Sequence, residues 1–176
     1  MNKTFRLFII PAAALLTVAL PGCKKERAGA DAPAQKFAQS QNLAPNFTLP
    51  AVSTKSNWEL SPLLGKKTVL LAFFTTWCPY CNSSMPYLQS FYEKNTAKDF
   101  VVVGIDVGEP ESTVANFQKK HGLTFPVLMR GQDDASDAYY QVRYLPTLYL
   151  IDKKGQVVRR FEGFHPSMLD EIAKYL

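Results

Sequence analysis

The stretch TTWCPYCNSSMP, Thr75 to Pro86, places two cysteines, Cys78 and Cys81, two residues apart. Such a pair fits a redox dithiol, half of a metal site, or a structural staple. The flanks help to choose. Upstream, TVLLAFFT (Thr68 to Thr75) is continuously apolar and rich in β-formers, the pattern of a strand buried on both faces at the centre of a sheet. Downstream, PYCNSSMPYLQSFYEKN predicts a long helix from about Pro79, kinked where Pro86 removes one backbone hydrogen bond. The cysteines thus stand where a central strand meets a helix start. Unpaired N–H groups and the positive end of the helix dipole favour an anion there. The thiolate is the form of cysteine that attacks disulfides. Cys81 follows three residues on, on the same helix face and within disulfide reach. This arrangement predicts Cys78 as an exposed attacking thiol and Cys81 as a buried resolving thiol.

The rest of the globular part alternates strands and helices. APNFTLP and NWEL predict two short strands, and SPLLG one helical turn with Ser61 as cap and Pro62 at its first position. FVVVGIDV (Phe100 to Val107) is a second buried strand. PESTVANFQKKHG follows as a helix, with Pro110 near its start and Gly122 past its end. FPVLM is a shorter strand and DDASDAYYQV a helix. TLYLID and QVVRRFEG form a hairpin through Lys153, Lys154 and Gly155, and HPSMLDEIAKYL closes the chain as an amphipathic helix. The order implies an α/β fold whose parallel strands are joined by helical crossovers and completed by an antiparallel hairpin. The aromatics of SMPYLQSFY fall at helical spacing and belong to a core rather than a ligand box.

The N-terminus reads differently. Lys3 and Arg6 precede LFIIPAAALLTVAL, Leu7 to Leu20, an apolar run too short to span a bilayer comfortably. It has the character of a secretory h-region. LPGC then resembles a bacterial lipoprotein signal, which implies cleavage after residue 22 and lipidation of Cys23. Ordinary cleavage that leaves Cys23 as a free thiol, or an uncleaved anchor, are the alternatives, and all three export the domain. Residues 23–43 are rich in Ala, Gln, Lys and Pro and read as a flexible tether; residues 44–176 are the domain. Losing Lys3 and Arg6 takes the formal net charge from +5 to +3, too mild to argue for nucleic acid. With 47% apolar residues, the domain can build a core without a disulfide framework.

Trp77-Cys-Pro-Tyr-Cys81 after a buried strand, with Leu145-Pro146-Thr147 about 65 residues later, resembles the thioredoxin fold. Pro86 matches that fold's helix proline and Pro146 its cis-proline. APNFTLP and the extra strand–helix unit at about 100–122 resemble the exported TlpA/ResA-like thiol–disulfide oxidoreductases. The resemblance implies a mixed central sheet with an N-terminal β extension. It also implies a redox-active Cys78–Cys81 pair that needs no cofactor, supported by Trp77, Pro79, Tyr80, Leu145 and Pro146. By the same resemblance the protein reduces disulfides in exported proteins. Apocytochrome c is the leading substrate, and a membrane thiol transporter of the DsbD/CcdA type is the electron donor. Location would be periplasmic or otherwise extracytoplasmic, on the outer membrane if the cell is Gram-negative. Disulfide oxidation or isomerisation is the main alternative.

Two acids typical of these families are missing. Thioredoxin's buried Asp is replaced by Ala72, and the Glu of ResA-like proteins by Ser84. The base for Cys81 is therefore unassigned; Glu162, Asp106 or a water are candidates. Competing readings are weaker. A four-residue disulfide ring would stabilise by only about 2 kcal/mol. Zinc needs three or four ligands, and His121 and His165 stand alone, each reading as a surface residue near a helix end. Copper handling in this fold class uses a spacing one residue longer. A thiol peroxidase of the AhpC/TSA class also opens with APNFTLP, but its P-x-x-x-T-x-x-C would need proline where Leu71 or Phe74 stands.

Overall fold

The computed structural model describes residues 43–52, 54, 56–130 and 137–176. The signal, Cys23 and nearly all of the tether lie outside the described residues. The first strands, β1 (Thr48–Pro50) and β2 (Asn57–Glu59), pair antiparallel as a small separate sheet. The main sheet holds β3 (Thr68–Phe74), β4 (Phe100–Asp106), β5 (Val127–Met129), β6 (Thr147–Ile151) and β7 (Val157–Glu162), in the order β5-β4-β3-β6-β7. The β3–β4 and β4–β5 pairs are parallel; β6 runs antiparallel to both β3 and β7. Helices α1 (Pro79–Lys94), α2 (Glu111–Lys120), α3 (Asp137–Tyr140) and α4 (Met168–Ala173) complete the fold. The strand–helix alternation read from the sequence is thus present, in a mixed sheet.

β3 is central, and all seven of its residues are buried. Successive side chains point to opposite faces. Leu70, Ala72 and Phe74 enter the core layer shared with α1, α2 and α4, while Val69, Leu71 and Phe73 enter a second, aromatic layer with Phe47, Tyr140 and Tyr149. This is why the run is continuously apolar: neither face meets water. Each large side chain so buried contributes about 1.5–3 kcal/mol. Gly104 on β4 allows the close packing above it. A Cβ there would stand 3.2 Å from the Phe74 ring and 3.3 Å from that of Phe125. The hairpin after β6 turns at Gly155, whose φ is +77°, and Asp152 Oδ1 accepts the N–H groups of Lys154 and Gln156.

Three local expectations change. Ser61 does not cap its turn: Leu60 occupies that position, and the Ser61 N–H is taken by Asn46 Oδ1 at 2.8 Å, a side chain from the β1 segment. The last helix is confined to Met168–Ala173, entered by a turn in which the Met168 N–H donates to the His165 carbonyl and left by one in which the Lys174 N–H donates to the Glu171 carbonyl. Of the helix expected over DDASDAYYQV, Asp137–Tyr140 is present, and residues 133–136 lie outside the described residues. Among the described residues, no helix is long and apolar enough to cross a membrane.

Candidate active site

Every part of the site stands at the C-terminal edge of β3 and β4. β3 ends at Phe74, a turn runs through Thr75–Trp77, and α1 begins at Pro79. Cys78 is the N-cap of α1, with φ −76° and ψ 118°, and its sulfur accepts the Cys81 N–H at 3.3 Å. A thiol here does what Ser or Asp does at other helix starts: it satisfies a donor that has no partner within the helix. Pro79 occupies the first helical position, where its missing N–H costs nothing. The Cys78 thiol also donates to the Leu145 carbonyl at 3.6 Å. The Cys81 contact is one a thiolate would keep, and the Leu145 contact is one it would lose.

Cys78 and Cys81 are both free thiols. Cys81 is fully buried, as expected. Cys78 is only 5% exposed, which corrects the expectation of an exposed thiol. The reason is the contact with Leu145. The segment before β6 folds over the sulfur, and the Leu145–Pro146 peptide bond is cis. What is exposed is the rim: Trp77 and Tyr80 at 71% each, and Tyr144 at 62%. Trp77 therefore does not pack in the core. Tyr87, on the exposed side of α1, meets Phe164 with ring centroids 5.8 Å apart.

Burial pushes the Cys81 thiol strongly up from its usual range, and its contact with the Cys78 thiol pushes the same way; the backbone at Thr75 opposes both. Its surroundings explain the desolvation. Ala72 shares its core layer, and Ser84, also fully buried, turns its hydroxyl to the Cys81 carbonyl at 2.9 Å. Ser84 thus serves the helix backbone and is not directed at the sulfur. Glu162 closes β7 opposite Thr147 and pairs with Arg160 at 2.6 Å. Asp106 ends β4, fully buried, in register with Phe74.

Polar contacts that the sequence did not reveal hold the turn. Asn82 donates from Nδ2 to the carbonyls of Thr76 (2.7 Å) and Cys78 (2.9 Å). Both donors being used there, Asn82 Oδ1 accepts from His121 Nε2 at 3.2 Å. That assignment requires the Nε2–H form of the ring. His121 was expected at the surface. Instead it closes α2, packs against Phe117 with the rings tilted and their centroids 4.3 Å apart, and is half-buried. Glu109 accepts from both the Thr76 N–H and the Thr76 hydroxyl. A polar residue one position past a CxxC, or three past a strand, carries no signal by itself; these pairings arise only when β4 and α2 are laid beside α1. Among the described residues, no cluster of three or more His, Cys, Asp or Glu is placed to hold a metal.

Residues 40–160 match the AhpC/TSA family. The chain is 39% identical over 120 residues to the thiol-disulfide oxidoreductase ResA of Bacillus subtilis, a match covering 68% of this chain and 65% of that protein. It is 40% identical over 121 residues to ResA of Bacillus thuringiensis (strain Al Hakam), covering 68% of each. Among solved structures, a thiol:disulfide interchange protein of the thioredoxin family from Chlorobium tepidum superposes with a TM-score of 0.68 at 28% identity, over 81% of this chain and 97% of that one. StoA from Bacillus subtilis shares the fold, with a TM-score of 0.62 at 24% identity, over 75% and 98% of the two chains. The match over residues 40–160 and the identity to the ResA proteins, on a five-stranded mixed sheet shared with the solved structures, place the chain in the AhpC/TSA family, as a ResA-like thiol–disulfide oxidoreductase of thioredoxin fold.

Proposed function

We propose that the protein reduces disulfides in exported proteins, with Cys78 attacking and Cys81 resolving. The observation that carries this reading is the Cys78 sulfur held between the Cys81 amide and the Leu145 carbonyl, under an exposed aromatic rim. The Cys78 thiolate attacks one sulfur of a substrate disulfide; that S–S bond breaks and the other substrate sulfur leaves as a thiolate. Cys81 then loses its proton and attacks the Cys78 sulfur. The mixed disulfide breaks, the second substrate thiolate leaves, and the enzyme holds a Cys78–Cys81 disulfide. Two electrons have passed from the dithiol to the substrate. Trp77, Tyr80 and Tyr144 offer apolar area to a polypeptide, and Leu145 and Pro146 border the sulfur it must reach.

The burial of Cys81 makes its deprotonation the demanding step, so the mixed disulfide is resolved slowly for this class. Export rests on residues 1–22 as a lipoprotein signal, Cys23 as the lipidated residue and 23–43 as the tether that lets 44–176 reach its substrates. The ResA resemblance favours apocytochrome c as substrate and a DsbD/CcdA-type transporter as electron donor, with the outer membrane as site in a Gram-negative cell.

The test is the reduction potential of the protein, equilibrated in thiol buffers and read by alkylation and intact mass. A value near or below about −250 mV supports a reductant in an oxidising compartment. A value above roughly −180 mV overturns that direction and assigns the protein to disulfide formation or isomerisation.

A further inference from the structure

α2 and the loop before it lie across the active-site turn, and both ends of that unit touch it. At one end stands Glu109. Its two carboxylate oxygens accept from the Thr76 N–H and, at 2.6 Å, from the Thr76 hydroxyl, two positions before Cys78. Behind Glu109 lies Asp106. Asp106 Oδ1 accepts the Glu109 N–H at 2.7 Å, and Asp106 Oδ2, fully buried, has no hydrogen-bond partner among the described residues. At the other end His121 reaches Asn82, which binds the carbonyls of Thr76 and Cys78. A buried carboxyl is costly and is retained where it does something.

We propose that Glu109, backed by Asp106, is a positioning residue for thiol exchange: the carboxyl pair fixes the Thr76 turn so that Cys78 sits as the cap of α1. The proposal rests on the reading of Cys78 as the attacking thiol. Its physical basis is that hydrogen bonds to an ionised carboxylate are about twice as strong as neutral ones, and two of them converge on one residue. A turn held this way keeps the Cys78 sulfur on the Cys81 amide rather than leaving it free to rotate.

The pair also carries a proton. Burial pushes the Asp106 carboxyl up to about 7, and the neighbouring Glu109 carboxyl pushes the same way, against the two backbone N–H groups that favour its ionised form. Below about pH 7 the Asp106 carboxyl holds its proton; above it, Asp106 adds a negative charge behind the turn. The other titratable and charged groups around it are Cys78 and Cys81 at α1, Arg130, whose backbone N–H donates to the Asp106 carbonyl at 3.1 Å, and His121, which reaches the turn only through Asn82. Protonation of His121 leaves its Nε2–H donating to Asn82, so that contact does not switch with pH.

The experiment is the rate of Cys78 alkylation against pH in the reduced full chain, mapped by peptide mass, with hydrogen exchange at the Thr76 amide read in the same samples. In the unmodified protein the profile carries an inflection near neutrality besides that of the thiol. Asp106→Asn, which keeps the Oδ1 acceptor, removes that inflection. Glu109→Gln moves it to lower pH, since only burial then raises the Asp106 carboxyl, and speeds exchange of the Thr76 amide on the order of tenfold. Thr76→Val loses only the hydroxyl contact and keeps the inflection, which guards against a variant that merely fails to fold. The proposal is overturned if Thr76 exchange is unchanged in Glu109→Gln, or if the unmodified protein already titrates as a single thiol. Faster labelling of Cys81 than of Cys78 would instead overturn the assignment of the attacking thiol, while Thr76 exchange still decides the role of Glu109.

Discussion

The two faces of the central sheet are built from the same strands and do opposite things. On one, alternate residues of β3 pack into an aromatic layer in which Phe73 meets Tyr140 and Tyr149 with ring centroids 5.5 and 5.9 Å apart, and Tyr140 meets Tyr149 at 5.0 Å. The polar ends there are spent locally: the Tyr149 hydroxyl donates to the Tyr140 carbonyl. On the other face the same strand supports Cys78, Cys81 and Ser84, and the adjacent β4 adds Asp106, all buried. One face maximises contact. The other buries groups that water would hold better, and it does so where β3 ends and α1 begins. A chain places such groups where chemistry needs them and draws the stability from elsewhere.

The comparison can be broken most severely at the sulfur. Cys78→Ser should abolish disulfide reduction while leaving the thermal midpoint nearly unchanged. Cys81→Ser should instead accumulate the mixed disulfide with substrate, visible by non-reducing mass analysis; equal and substantial turnover in both variants would remove the dithiol mechanism. Phe73→Ala tests the aromatic face. It should cost about 3–5 kcal/mol in denaturant unfolding, with the reduction potential of the folded protein unmoved. A shifted potential would mean that the two faces are not independent.

A finer test uses pH. Asp106 binds its proton more tightly folded than unfolded, because burial raises its carboxyl to about 7 against an ordinary value near 3.8. Between those limits the folded state therefore holds more protons than the unfolded one, and stability falls as pH rises. The contribution is full below about pH 4 and lost by about pH 7, amounting to roughly 2–4 kcal/mol at most. Asp106→Asn should flatten that part of the stability–pH curve. An unchanged slope would show that the carboxyl is not desolvated and would erase this difference between the faces.

Much of this was legible in the sequence. Continuous apolar character fixed β3 as central, because only a strand covered on both faces can dispense with polar residues. Cys78 before Pro79 marked a helix start, since that is where an unpaired N–H and a missing one are both tolerated. The interval from Cys81 to Leu145-Pro146, and the opening APNFTLP, carried the family. These are local patterns or fixed spacings, and one chain suffices to read them.

Tertiary structure decided the rest. The sequence made Cys78 exposed, but Leu145, 67 residues away, comes down over it and accepts its S–H. His121 read as a surface residue until α2 was laid against α1 and brought it to Asn82, 39 positions off. Glu109 gave no signal, because an acid in a loop after a strand is ordinary, and Asp106 stood only as a candidate base for Cys81 that nothing in the sequence placed. They matter only because β4 pairs with β3 in a register that sets Asp106 beside Phe74, one turn from the cysteines. Periodicity and capping belong to neighbours in the chain. The environment of a thiol or a carboxyl is set by whatever long-range packing removes from water, and that exists only in the folded molecule.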